Sequence, residues 1–145
     1  MNKHHKVFSW PVRVYFQDTD AGGVVYHSNY VNFMERSRTE WLRTFGYSNA
    51  GMMKELGVVF VVRSLKLEYL KPAVLEDLLE VTAQIKDIGR SRISLVQEVR
   101  RQVVDTHIVE VLTEGEVHLV CVDVQTFKPV SVPEVIRKQW HPESK

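Results

Sequence analysis

The repeat period of the apolar residues changes once along this chain, and that change restricts the fold more than any other feature. Over residues 29–45, Tyr30, Phe33, Met34, Trp41, Leu42 and Phe45 recur at three- and four-residue steps, the spacing of one helix face. Ser37 and Arg38 occupy the middle of that stripe, and a small Ser37 lets the helix come close to a sheet. Asn32, Glu35, Arg36, Thr39, Glu40 and Arg43 make up the opposite, solvated face. Gly46 stands where a glycine commonly ends a helix. At ~1.5 Å per residue this helix is about 25 Å long, enough to cross several strands.

After a loop over residues 47–57 the period becomes two. Leu65, Leu67 and Tyr69 alternate with Lys66 and Glu68; Val81, Ala83 and Ile85 alternate with Thr82, Gln84 and Lys86. Ile93, Leu95 and Val99 alternate with Ser94 and Glu98. Val109, Val111, Val117, Leu119 and Cys121 share a face against Glu110, Glu114, Glu116 and His118. Half-buried strands give this alternation. The breaks at Lys71-Pro72, Ile88-Gly89-Arg90 and Val104-Asp105 are hairpin-sized and leave no room for a crossover helix. The chain therefore reads as α+β, an antiparallel sheet with one long helix on its apolar face. A short helix is expected over residues 133–140.

Composition excludes several classes. A length of 145 residues fits one domain over 1–145, with a core over about 10–130. The 19 basic and 18 acidic residues leave a formal charge of +1, which gives no electrostatic case for binding nucleic acid. Cys121 is the only cysteine, so no internal disulfide forms, and its apolar neighbours mark it as a core residue. His4 and His5 lie on a polar N-terminus, where a metal role is not expected. The start, MNKHHKVFSWP, lacks a signal-peptide core, and no run approaches the ~20 apolar residues of a membrane span. A soluble, cytoplasmic protein is expected, without metal or cofactor.

Candidate chemistry concentrates in residues 18–30, DTDAGGVVYHSNY. Two carboxylates, Asp18 and Asp20, follow the strand-like run Val12-Arg13-Val14-Tyr15-Phe16; Gly22 and Gly23 break it, and the helix pattern begins soon after. The first amides of a helix have no intrahelical acceptor, and the dipole there is positive. Such a place can hold a developing negative charge. A calcium loop is excluded, because its fifth position would be Gly22 and its twelfth Asn29, where a bidentate glutamate is expected, so too few oxygens remain. The D-x-D phosphatase signature needs a doubly wound parallel sheet, which hairpin-sized breaks do not build. Zinc binding by Asp18, Asp20 and His27 lacks suitable spacing and a second nearby histidine. An acidic turn that merely caps a helix stays open on these residues alone.

The run Val12-Arg13-Val14-Tyr15-Phe16-Gln17-Asp18-Thr19-Asp20-Ala21-Gly22-Gly23-Val24-Val25-Tyr26-His27 resembles a family segment. So do E-R-x-R-T-E at 35–40, F-V-V-R at 60–63 and V-C-V-D at 120–123. Together they resemble the hotdog-fold acyl-CoA thioesterases of the 4-hydroxybenzoyl-CoA thioesterase group, in its bacterial Tol-Pal-associated branch. The resemblance implies that Asp20 is the catalytic carboxylate and that backbone donors near Tyr26 and His27 meet the thioester carbonyl. Both fit what thioester hydrolysis needs: a base or nucleophile and an oxyanion site. Asp18 is expected to orient the loop, and with Gly23 and Val25 it is a candidate for contact with substrate. The His27 side chain is a candidate for bonding substrate or water, or for holding Asp20; Tyr30 is expected to pack under the helix.

A CoA-type substrate is long and anionic. Arg90 and Ser91, after Gly89, and Arg63 and Ser64, on the strand from Val58, are candidates for binding it. The apolar run 58–62 either flanks an acyl chain or is buried. The resemblance implies an acyl-CoA substrate, with acyl carrier protein as the other possible carrier. It also implies a homodimer or homotetramer with Asp20 of one subunit facing Arg63 or Arg90 of another, and a cytoplasmic location, loosely associated at most with the cytoplasmic face of the inner membrane. A hotdog dehydratase acting on acyl thioesters and a non-catalytic acyl-carrier or scaffold protein are the alternative readings.

Overall fold

In a computed structural model of the chain, residues 5–103 and 105–140 are described. His4 and Val104 lie outside them. Among the described residues, five strands form one antiparallel sheet: β1 (Phe8–Arg13), β2 (Val58–Tyr69), β3 (Leu78–Ile88), β4 (Arg92–Gln102) and β5 (Val109–Asp123). Their spatial order is β1-β3-β4-β5-β2. Helix α1 spans His27–Arg43; the short helices α2 (Asn49–Leu56) and α3 (Glu134–Trp140) follow. The α+β architecture and its single long helix are as the periodicity predicts.

Helix α1 buries Tyr30, Phe33, Met34, Ser37, Trp41 and Leu42, the stripe read from the sequence. Ser37 is fully buried, and its hydroxyl donates to the Val81 carbonyl of β3 at 2.8 Å. Gly115 of β5 makes the approach possible. A Cβ there would stand 2.7 Å from Leu67 Cδ2 and 3.0 Å from Met34 Cε. Gln97 sits buried in β4 beneath the helix, donating to the carbonyls of Met34 and Thr82 and accepting from Arg38. The core divides along α1. One cluster gathers Trp41, Leu42, Met52 and Trp140 at the helix C-terminal end; the other gathers Tyr30, Phe33, Leu79 and Leu112 at its N-terminal end. Burial raises the Cys121 thiol to about 11, which leaves it protonated and inert.

Four expectations need correction. The loop over residues 47–57 holds α2, whose N-cap Ser48 accepts from the Gly51 amide at 2.9 Å and which ends at Gly57 with φ +70. Its short length and single buried residue, Met52, leave little periodic signal. The break at Lys71-Pro72 is not a hairpin. β4 and β5 lie between β2 and β3, so residues 70–77 cross three strand spacings, about 14 Å. The first strand ends at Arg13, and a 3-10 turn, Phe16–Asp18, follows. On β5 the pairing shifts between Val99–Thr113 and Arg100–Val111. This bulge turns Leu112 inward, where it is fully buried, and leaves Val109 on the exposed side, off the face of Val117 and Leu119.

Candidate active site

The segment after β1 doubles back on itself before α1 begins. Asp20 N donates to Val24 O at 2.9 Å and Gly23 N to Asp20 O at 3.1 Å, and Gly23 takes φ +80, which glycine adopts without strain. Asp20 Oδ1 accepts from the Gly22 amide at 2.8 Å. The Asp20 side chain stands at the exposed tip of this turn, and among the described residues Oδ2 accepts no hydrogen bond. Asp18 is the opposite case: it is 4% exposed. Its Oδ2 accepts from the Tyr15 amide at 2.8 Å, and its Oδ1 accepts from Asn29 Nδ2 at 2.9 Å. The two acids of D-x-D thus have separate surroundings, one tied into the fold and one open to solvent.

Asp18 also shapes the helix start through its carbonyl, which accepts from the Tyr26 amide at 3.1 Å. That bond corrects the expectation for Tyr26 as a backbone donor, since its N–H is already occupied. Tyr26 is the N-cap of α1 and supplies no side-chain cap. The next amides, of His27 and Ser28, find no acceptor among the described residues. They are the first two donors of a 17-residue helix, where the dipole is positive. The first helical turn carries no acidic side chain to occupy them.

Asp20, Val25, Tyr26, His27, Tyr69 and Lys71 line one open hollow, with Tyr30 and Pro72 beneath and beside it. The Tyr69 hydroxyl donates to the His27 carbonyl at 3.2 Å, and its ring meets the His27 ring edge-on at 5.2 Å. No hydrogen bond joins His27 to Asp20 among the described residues, so the imidazole does not hold that carboxylate. Tyr30 is buried, and its hydroxyl accepts from the Ala73 amide at 2.9 Å. Burial raises the Tyr30 phenol above its usual range. Val24 and Val25 line the hollow, and the Val25 side chain is buried; Gly23 is not among the lining residues, and its carbonyl accepts from Leu75 N while Val25 N donates to Ala73 O.

The other substrate-binding candidates stand apart from this hollow within one chain. Arg63 is the bulged residue between the pairs Val62–Leu119 and Ser64–His118. It lies six residues from Tyr69, about 20 Å at strand rise. Ser64 pairs with His118, whose side chain bonds Ser94 on the sheet face turned away from the helix. Arg90 and Ser91 lie past Ile88, at the end of β3 farthest from the hollow. Their carbonyls serve structure: Arg90 O accepts from Val132 N and from the Arg137 guanidinium, and Ser91 O from Cys121 N. Sequence reading missed Leu70, Lys71 and Pro72 as a wall of the hollow, because Lys71-Pro72 looked like turn punctuation. Among the described residues no group of three or more His, Cys, Asp or Glu could hold a metal ion, and no helix is long and apolar enough to cross a membrane.

Residues 14–140 match the model of the thioesterase-like superfamily. The acyl-CoA thioester hydrolase YbgC of Escherichia coli is 45% identical over 90% of this chain and 92% of its own. The acyl-CoA thioesterase YbgC of Haemophilus influenzae is 39% identical over 92% and 94%. The crystal structure of a probable thioesterase from Bartonella henselae superposes with a TM-score of 0.79 at 29% identity, covering 88% of this chain and 100% of that one. The resemblance read from residues 12–27 therefore holds along most of the length, and the chain belongs to the thioesterase-like superfamily of hotdog folds.

Proposed function

We propose that this protein hydrolyses acyl-CoA thioesters, with Asp20 as general base and the His27 and Ser28 amides as oxyanion donors. One observation carries the reading: an exposed carboxylate, Asp20, and the first residue of α1, His27, line the same hollow, at a helix start whose first two amides have no acceptor among the described residues. Asp20 Oδ2 takes a proton from water as the water oxygen attacks the thioester carbon. The carbonyl oxygen gains negative charge and is met by the amides of α1. Collapse of the tetrahedral intermediate breaks the C–S bond, and the thiolate leaves with the proton held by Asp20. Asp18 keeps the turn in register through Tyr15, Tyr26 and Asn29. The YbgC relatives are acyl-CoA thioesterases by name, which supports the same substrate class here.

The working unit in this reading is a homo-oligomer. β2 is an edge strand of 12 residues with Val61 and Val62 exposed, and an unpaired edge invites a second copy. Such pairing would bring Arg63 toward a neighbour's hollow. The proposed setting is the cytoplasm, with CoA as the carrier ahead of acyl carrier protein.

The test is steady-state hydrolysis of a panel of acyl-CoA thioesters by wild type and Asp20→Asn. The variant is expected to fold and to lose about 10² to 10⁴ in kcat. Wild-type turnover by a folded Asp20→Asn sample would end the assignment. No hydrolysis of any thioester would favour a scaffold, and an enoyl product from a 3-hydroxyacyl thioester would favour a dehydratase. A single turnover in ¹⁸O-water that labels Asp20 would make the carboxylate a nucleophile instead of a base.

A further inference from the structure

The turn that carries Asp20 does not rest on the sheet directly. It rests on the crossover over residues 70–77, which acts as a strap between them. Three contacts join turn to strap: Val25 N donates to Ala73 O at 2.9 Å, Leu75 N donates to Gly23 O at 3.1 Å, and Val24 bridges Val74. Tyr30 adds a fourth from the first turns of α1, accepting from Ala73 N at 2.9 Å. Whatever fixes the strap therefore fixes both halves of the proposed site, the turn and the helix start.

The two ends of the strap are fixed by backbone. Leu70 N and Lys71 N both donate to Leu112 O, the bulged residue of β5; at the other end Val14 N donates to Asp77 O and Glu76 N to Val14 O. Arg13 of β1 adds a side-chain bond at the second end, donating from Nη1 to the Glu76 carbonyl at 2.8 Å, and one guanidinium of the sheet reaches both ends. Arg101 of β4 donates from Nη1 to Asp77 Oδ2 at 2.7 Å and to the Pro72 carbonyl at 3.3 Å. The same Asp77 oxygen accepts from Val74 N at 2.9 Å. Arg101 is itself squared up by Glu110 of β5, which accepts from Nε at 3.2 Å and from Nη2 at 3.0 Å. Lys71 donates to the second Glu110 oxygen at 2.9 Å. The guanidinium thus spans both ends of the strap, through Pro72 and Asp77. The strap also holds a non-glycine residue, Glu76, at φ +72. A left-handed conformation at such a residue is unfavourable and persists only where its surroundings enforce it.

We propose that Arg101 is a positioning residue for thioester hydrolysis: it holds the 70–77 strap against the sheet and so sets the distance between Asp20 and the amides of α1. This rests on the reading of Asp20 and the helix start as the reacting groups. Arg101 lines no part of the hollow, so it acts only through the strap. The planar fork matters, because three acceptors on two elements are met by one rigid group, which a lysine ammonium cannot reproduce. Loss of the clamp leaves the strap tied at its ends and free to shift in the middle, where Ala73, Val74 and Leu75 carry the turn.

The experiment compares Arg101→Gln and Arg101→Lys with Arg100→Gln. Arg100 is the neighbour on the opposite sheet face and is paired with Glu98 at 2.7 Å. Displacement of reacting groups by about 1 Å can cost on the order of 100-fold in rate. The expected result is a kcat reduced about 10- to 100-fold in Arg101→Gln with little change in KM, partial recovery in Arg101→Lys, and an unchanged kcat in Arg100→Gln. Amide exchange should speed up at Val25, Val74 and Leu75 while β4 and β5 stay protected. If Arg101→Gln loses activity only in proportion to its unfolded fraction, or if its exchange rises uniformly, the proposal is overturned. Should Arg101→Gln not fold, Glu110→Gln reads the same clamp from its other side, and a wild-type kcat with wild-type exchange there overturns it as well. Asp20→Asn in parallel separates the two claims. Activity retained in Asp20→Asn defeats the site itself, whereas loss in Asp20→Asn with wild-type behaviour in Arg101→Gln defeats the clamp alone.

Discussion

The two ends of helix α1 are built on different principles. At its C-terminal end, Trp41, Phe45, Phe60 and Trp140 form an aromatic knot, with Trp41 and Trp140 stacked at 5.8 Å and Phe45 edge-on to both. Little is left exposed there, and dispersion and burial do the stabilising. At its N-terminal end the chain is held by discrete hydrogen bonds: Asp18 to three partners, Tyr30 to Ala73, Tyr69 to His27. Among the described residues, two helix amides and one carboxylate oxygen remain without protein partners. Packing carries the knot even though it leaves one buried donor, Trp140 Nε1, without a partner among the described residues; the end that has to keep donors and an acceptor free for a substrate is assembled from directional bonds instead. The difference shows how one helix can serve as core element and as reactive terminus.

The strongest way to break the comparison is to remove the knot. Trp140→Ala should cost about 3–5 kcal/mol of stability, read as the unfolding midpoint in denaturant, while kcat per folded molecule changes little. A matched loss of kcat in the folded fraction would mean that the two ends are coupled. A second substitution separates backbone from side chain at the reactive end. Tyr26 has φ −70 and ψ 144, the extended conformation that a residue before proline prefers, and position 27 opens the helix, where proline is tolerated. His27→Pro therefore deletes the amide donor without breaking α1. It should lower kcat about 10²- to 10³-fold, the usual worth of one oxyanion donor, whereas His27→Ala keeps the amide and should cost about tenfold or less. Equal losses in the two variants would make the imidazole the catalytic group.

Asp18→Asn probes the scaffold of that end at smaller magnitude. The carboxylate receives two N–H donors on its two oxygens, and an amide can accept only one of them while turning its own NH₂ toward the other. A buried donor left without an acceptor costs about 1–3 kcal/mol. The thermal midpoint should fall, with a smaller effect on kcat than Asp20→Asn produces. A larger effect on kcat would reverse the roles of the two acids.

The sequence carried the knot and the reactive turn unequally. Trp41, Leu42 and Phe45 declare themselves by helical spacing, and the residues 18–30 declare themselves by resemblance and by carboxylates beside a helix start. The strap does not. Pro72, Ala73 and Asp77 look like punctuation between two strands, because neither period marks a crossover whose order depends on β4 and β5 lying between β2 and β3. Arg101 and Glu110 face each other across β4 and β5, nine residues apart in sequence. The bulge at Leu112 sets the face on which both emerge, and a local pattern cannot report a register shift. The bulge between Val62 and Ser64 turns Ser64 to the far face in the same way, and within one chain Arg63 and Ser64 stand apart from the hollow.

Acid titration sharpens the comparison with the smallest effect, because each end has one carboxylate held below its usual range. Near the reactive end, the hydrogen bond from Lys71 and then those from Arg101 lower Glu110. At the far end, the amides of Thr126 and Gln125 lower Asp123, which caps the turn after β5. A carboxylate with a depressed folded-state pKa stabilises the fold above its unfolded pKa, and that contribution disappears as pH falls through the folded value. Both groups therefore contribute at neutral pH and cease to contribute in acid. Protonating Glu110 frees one side of Arg101 and loosens the strap, so activity should decline in acid before the global fold does, and Glu110→Gln should flatten that early decline. Protonating Asp123 releases only a surface turn, so Asp123→Asn should shift acid unfolding slightly and leave the activity profile of the folded protein alone. Activity and unfolding followed in parallel from pH 7 to pH 3 decide the matter: an Asp123→Asn profile that flattens as much as the Glu110→Gln profile would show that acid acts on the whole fold and not on the strap.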